Sequence, residues 1–183
     1  MSRSNGNGAE PGTGTDTRGE PGPAPGMQLR SRGRTITEAD LVGFSTLTGD
    51  WHPQHGDAEW AGESAFGERI AHGMLVLSYS VGLVPFDPDH VVALRGLSKV
   101  SFKRPVRIGD TISVAAKVED VRPLDEDRAL VGFDWRVSNQ GSELVVRAKV
   151  EVLWQDATAP EPAVAAPPAA SELFELYGDR VLL

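Results

Sequence analysis

Ala71-His72-Gly73-Met74-Leu75-Val76-Leu77-Ser78-Tyr79-Ser80-Val81-Gly82-Leu83-Val84 is apolar almost all round, broken only by His72, Ser78, Tyr79 and Ser80. A helix with so little polar face belongs inside a protein. Pro85 and Pro88 mark its end, because proline lacks the N–H a helix needs. Beyond them the chain is strand-like: Val91 to Leu94, Leu97 to Phe102, Thr111 to Val121, Ala129 to Ser138 and Glu143 to Trp154 are rich in β-branched and aromatic residues, and several alternate polar with apolar. Gly109-Asp110 and Asn139-Gln140-Gly141 are turn signals, and the second, lying between two long strands, reads as a hairpin. One buried helix and then a run of long strands predicts an α+β fold, a curved antiparallel sheet wrapped around a central buried helix. A single such sheet leaves its edges and one face poorly covered, which pairing of two copies would relieve.

Upstream, Gln28-Leu29-Arg30-Ser31 reads as a short edge strand leading into Thr35-Ile36. Thr37-Glu38-Ala39-Asp40 is a helix start, with an N-cap threonine and an acidic residue three positions later. Leu41, Phe44 and Leu47 continue at helical spacing, and Gly49 ends that helix. Asp57 to Ala61 reads as a short helix. The folded domain is expected over residues 27–155. Residues 1–26, rich in Gly, Pro, Ser and Thr, are expected to be a disordered tail. Residues 156–170 are Ala/Pro-rich and read as a linker. Residues 171–183 include Ser171 to Tyr177, expected to form a short amphipathic helix that docks on its own domain.

Composition narrows the function. A formal net charge of -8 argues against a nucleic-acid binder, whose affinity comes from a basic surface. No apolar run approaches the roughly 18 residues of a membrane span. The absence of cysteine excludes disulfides, thiolate metal sites and cysteine nucleophiles, and fits a reducing compartment. The first 26 residues carry Arg3 and Arg18 but no apolar segment of the secretory kind, so a cytoplasmic location is expected.

The chemistry gathers in Gly49-Asp50-Trp51-His52-Pro53-Gln54-His55, which puts a carboxylate and an imidazole five residues apart on a proline-stiffened loop. Adding water to a double bond conjugated with a carbonyl needs a base for water, an acid for the α-carbon, and something to hold charge on the carbonyl oxygen. Asp50 and His55 can supply the first two by sharing a water. Gly73 can supply the third, because the first N–H groups of a helix have no intrahelical partner and lie at its positive end. Glycine also lets a carbonyl approach without a Cβ in the way. Donors of this kind contribute about 3–4 kcal/mol in comparable sites.

Asp50-Trp51-His52-Pro53-Gln54-His55, then Phe66, then Ile70-Ala71-His72-Gly73-Met74-Leu75 resembles the paired motif of MaoC-like, or (R)-specific, enoyl thioester hydratases of the hotdog-fold superfamily. Ser101-Phe102-Lys103-Arg104-Pro105-Val106-Arg107-Ile108-Gly109-Asp110-Thr111 is a second family-like stretch. The similarity covers about residues 27–155. It implies Asp50 and His55 as the pair that activates water, the Gly73 amide as donor to the thioester carbonyl, a homodimer, and no metal or redox cofactor. The substrate would be an acyl thioester carried on coenzyme A or on the phosphopantetheine of an acyl carrier protein. The chain departs from the pattern at His52, where the family has asparagine. A neutral histidine replaces some of an amide's hydrogen bonds but not its shape, and a charged His52 beside Asp50 would weaken that carboxylate as a base, so activity is expected to change with pH near the histidine range.

Further residues are expected around the substrate. Trp51 and Trp60 flank the motif, Phe66 and His72 belong to it, and Ser78 and Tyr79 are candidates for the acyl tunnel. Lys103, Arg104 and Arg107 could meet the phosphates of the carrier or simply form a solvated cluster that protects a sheet edge. Trp135 and Trp154 read as core or interface residues. His52, His55 and His72 raise a metal reading, set aside because Pro53 separates the first two and the resemblance explains His55 without a metal. Two further functions fit the same fold: an acyl-thioester-binding protein without catalysis, and a thioesterase whose water attacks the carbonyl carbon.

Overall fold

The computed structural model describes residues 22–155. The expected tail is therefore described only from Gly22, and the expected linker and C-terminal helix lie outside the described residues. Helix α1 spans Glu38–Thr48, α2 Pro53–Gly56, α3 Ala58–Glu63 and α4 Gly73–Leu83. The strands are β1 Gln28–Arg30, β2 Arg34–Thr35, β3 Val91–Phe102, β4 Thr111–Pro123, β5 Arg128–Ser138 and β6 Leu144–Gln155.

The sheet runs β1-β4-β5-β6-β3, with β2 also paired to β4, and every pairing is antiparallel. Residues alternate across it as the pleat requires. Val114, Ala116 and Val118 of β4, Phe133, Trp135 and Val137 of β5, and Val146, Ala148 and Val150 of β6 are buried on the inner face. Leu75, Val76 and Leu77 of α4 join the same core. This is the expected hotdog arrangement, a curved sheet around one central helix. The outer face is polar: Asp134 pairs with Arg147 at 3.0 Å and Lys149 at 3.3 Å, and Arg122 pairs with Glu151. The expected hairpin forms, with Asn139 Oδ1 accepting from the amides of Gly141 and Glu143, both at 3.0 Å.

Three details differ from the sequence reading. β3 is one long strand instead of two, with register shifts after Val91, Leu94 and Ser98. Such bulges break the two-residue period that sequence patterns rely on. Leu47 points outward, 82% exposed, while Leu41 is buried. And α4 is not covered on all sides within one chain: Met74, Ser78 and Gly82, each one helical turn apart, are exposed. The sheet encloses only part of the helix circumference.

Helix α1 begins with a complete capping box. Thr37 Oγ1 accepts from the Asp40 amide at 3.3 Å, and Asp40 Oδ2 accepts from the Thr37 amide at 2.7 Å. The other Asp40 oxygen accepts from Tyr79 Oη at 2.6 Å and Arg34 Nη2 at 3.0 Å. The Arg34 guanidinium also lies 3.7 Å above the Tyr79 ring. Burial raises the Asp40 carboxyl, but these hydrogen bonds together outweigh it and hold the group at about 2. Gly49 closes α1 in the left-handed region, φ 77°, with its N–H on the Ser45 carbonyl. That turn delivers the chain to Asp50.

Candidate active site

The segment expected to be a loop contains a single helical turn, α2, with Pro53 at its first position. His52 is its N-cap: the Gln54 amide donates to His52 Nδ1 at 3.1 Å. The turn is then tied to the segment before α4. Gln54 Nε2 donates to the Glu68 carbonyl at 3.2 Å, and the Ile70 amide donates to the Gln54 carbonyl at 3.3 Å. His55 Nδ1 lies 2.7 Å from the Ile70 carbonyl. A carbonyl only accepts, so Nδ1 carries the proton and Nε2 of the neutral ring carries the lone pair.

His72 caps α4 from a buried position, 2% exposed, without bonding the helix through its side chain. Its Nε2 lies 3.1 Å from the Asp50 carbonyl and 3.2 Å from Ser45 Oγ. One imidazole thus joins α1, the Asp50 segment and α4. Its ring stacks on His55 with centroids 3.7 Å apart. Burial pushes the His72 imidazole below its ordinary range, and the His55 ring acts in the same direction against the Asp50 hydrogen bond. His72 is therefore a neutral strut, with Nε2–H donating to the Asp50 carbonyl. Its Nδ1 is sealed from solvent and has no partner among the described residues.

The Asp50 carboxylate is half exposed; one oxygen accepts the His52 amide at 3.3 Å and the other lies 4.0 Å from His72 Nε2. A carboxylate oxygen of Asp50 and one nitrogen each of His55 and His72 all lie within 4.8 Å of one another. Such a cluster has the residue types of a metal site. Of its nitrogens, however, His72 Nε2 is engaged with Asp50 and Ser45, His55 Nδ1 with Ile70, and His72 Nδ1 is sealed from solvent. That leaves the Asp50 carboxylate and His55 Nε2, a pair suited to holding water.

Asp50, His55, His72 and Gly73 share a cavity of about 410 Å³ with Phe66, Met74, Phe102, Lys103 and Arg104. Gly73 is the first residue of α4, so its N–H has no intrahelical partner. A Cβ built on it would stand 2.8 Å from the Phe102 ring, so no larger residue fits without displacing that ring. Ser78, Trp51, His52 and Arg107 are not on the cavity wall. Ser78 is exposed on α4 and Trp51 is 58% exposed. Trp60 meets the His52 ring edge-on at 5.5 Å. Arg107 is held by Glu68 at 2.6 Å, and Tyr79 is spent on Asp40. Ser45, Gln54 and Phe102 have parts the sequence reading did not foresee. Gln54 and Phe102 left a trace, each as a residue within a family-like stretch, and Ser45 left none.

A hotdog fold in which a carboxylate and an imidazole share a cavity with a bare helix start defines the class of protein. The family model described as MaoC like domain matches residues 21–133, more than half of the chain, and the chain belongs to that family. The (R)-specific enoyl-CoA hydratase of Aeromonas caviae is 34% identical over 114 residues, covering 62% of this chain and 83% of the hydratase. Protein MaoC of Klebsiella aerogenes is 44% identical over 91 residues, 49% of this chain, but the matched part is only 27% of that longer protein. A MaoC-like dehydratase from Rhodospirillum rubrum superposes with a TM-score of 0.68 at 25% identity, covering 74% of this chain and 95% of the other. No described helix is long and apolar enough to cross a membrane.

Proposed function

We propose that the protein is a hydratase/dehydratase interconverting (R)-3-hydroxyacyl and trans-2-enoyl thioesters. The observation that carries this reading is the meeting, in one cavity, of the Asp50 carboxylate, the His55 imidazole and the first amide of α4. The Asp50 carboxylate and His55 Nε2 are both acceptors, so together they hold the two hydrogens of one water and aim its oxygen. That oxygen adds to the β-carbon. The electron pair of the double bond moves toward the carbonyl, whose oxygen is received by the Gly73 N–H at the positive end of α4. The proton taken from water is returned to the α-carbon, so one H and one OH are added and nothing is released. Dehydration is the reverse.

Phe66, Ile70, Met74, Val76, Phe102 and Val146 give the acyl chain apolar walls. Lys103 and Arg104 border the same cavity, and in this reading they meet the phosphate of coenzyme A or of a phosphopantetheine arm on an acyl carrier protein. The steps above use no metal or redox cofactor. A homodimer is part of the proposal. β3 is an edge strand bearing exposed Val92, Leu94, Leu97 and Val100, and α4 leaves Met74 bare.

The reading is tested with enoyl thioesters of several chain lengths on both carriers, monitoring enoyl absorbance and free thiol in parallel. Loss of the enoyl signal without thiol is expected. Thiol release would make the protein a thioesterase, and silence in both signals on every substrate would leave a non-catalytic binding protein.

A further inference from the structure

We propose that His52 is a positioning residue whose neutral imidazole holds the turn carrying His55, and that protonation of this ring releases the turn. The inference rests on the function proposed above for its consequence in turnover, but its structural half stands apart from it. A backbone N–H can only donate, so the bond from Gln54 to His52 Nδ1 requires a lone pair on that nitrogen. The proton of the neutral ring therefore sits on Nε2. A protonated ring would set one N–H against another and must turn away, leaving the Gln54 amide uncapped.

The cap is the first link of a chain that ends at the acid–base pair. Gln54 is buried, 7% exposed, and both its side chain and its main-chain carbonyl are tied to residues 68–70. The next residue, His55, owes its ring orientation to the Ile70 carbonyl in the same segment. Letting go of Gln54 loosens the turn at the residue beside the one that must hold water. The groups around the His52 ring favour this outcome at acid pH. The Asp50 carboxylate, which accepts the His52 amide, would draw a charged imidazole toward itself. The His55 ring, 6.2 Å away between centroids, would repel it once also protonated. From α3 the ring meets the Trp60 indole, while Asp57 is engaged by the Trp60 amide at 3.0 Å.

An amide side chain at this position carries its oxygen two bonds from Cβ, where histidine carries Nδ1, and it caps without titrating. His52→Asn is therefore the informative variant and His52→Ala the control. In the full chain, long-range ¹H–¹⁵N spectra should show His52 protonated on Nε2 alone at neutral pH. Hydrogen-exchange protection of the Gln54 and Ile70 amides, corrected for intrinsic rates, should fall by about 5-fold in the wild type from about pH 8 to pH 5. It should stay level in His52→Asn and be low throughout in His52→Ala. In turnover, the ratio of kcat for His52→Asn to that of the wild type should rise by a similar factor of about 5 over the same range, with KM nearly unchanged. Equal protection profiles in wild type and His52→Asn, or an Nδ1-protonated His52, would overturn the inference. If no variant hydrates any thioester, the proposed function fails while the exchange profiles still decide the role of His52.

Discussion

Helices α1 and α4 are equally long, at 11 residues each, yet they begin in opposite ways. At α1 the Thr37–Asp40 box satisfies the amides of both residues, and Asp40 is further clamped by Tyr79 and Arg34. At α4 the capping residue makes no side-chain bond to the helix, glycine occupies the first turn, and a cavity opens in front. Tyr79, from the middle of α4, completes the start of α1, while the start of α4 itself is left without such help. One helix start contributes stability. The other leaves the Gly73 amide without an intrahelical partner beside the cavity, where the proposed function would use it.

The contrast is tested most severely at the open end. Asp50→Asn should lower kcat by about 10²–10⁴-fold, the usual contribution of general acid–base groups, with an unchanged circular dichroism spectrum. A loss below about tenfold would remove Asp50 from the reaction. Gly73→Ala should cost about 10²–10³-fold in kcat, because its Cβ meets Phe102 and displaces the carbonyl from the amide. Gly73→Ala combined with Phe102→Ala should recover part of that loss, and no recovery would mean that Phe102 is not what excludes a side chain there.

At the closed end the losses should appear in stability and spare kcat. Asp40 titrates near 2 in the folded protein against 3.8 for a free aspartate, so its contribution of about 2 kcal/mol is complete above about pH 4 and fades as pH falls through about 2. Urea unfolding of Asp40→Asn and wild type should therefore converge by about 2 kcal/mol between about pH 5 and pH 2. A constant gap would place the stabilisation elsewhere. Thr37→Ala should cost about 1 kcal/mol of stability at neutral pH and leave kcat per folded molecule unchanged.

The closed end was legible in the sequence. Thr37, Asp40 and Gly49 form a cap-to-cap pattern whose meaning is local, and the hairpin around Asn139 is equally local. The candidate site was half legible. Asp50, His55 and Gly73 can be named from their order and spacing, and the cavity does gather them. What bonds to what was not readable. Tyr79 suggested a tunnel wall, but its hydroxyl meets Asp40, 39 positions away in the chain. Ser45 reaches His72 across 27 positions. The α2 turn escaped notice because its cap is an imidazole, not one of the usual Ser, Thr, Asp or Asn side chains. The bare stripe on α4 escaped because apolarity shows that a helix will be covered, not that its own chain does the covering.

The bonds from Gln54 and His55 to residues 68–70 have a consequence for how such a protein can change. They staple both ends of the excursion that contains α3 and Phe66, so its ends stay put whatever lies between them. On loop-closure grounds, doubling the length of such an excursion costs only about 0.6 kcal/mol. Within that excursion Phe66 reaches the cavity wall and Ala61 is fully buried, so the exposed positions around them are where length and side chains can change. Under the proposed function, changes there would retailor the room for the acyl chain while Asp50 and His55 stay tied to the residues that lead into α4.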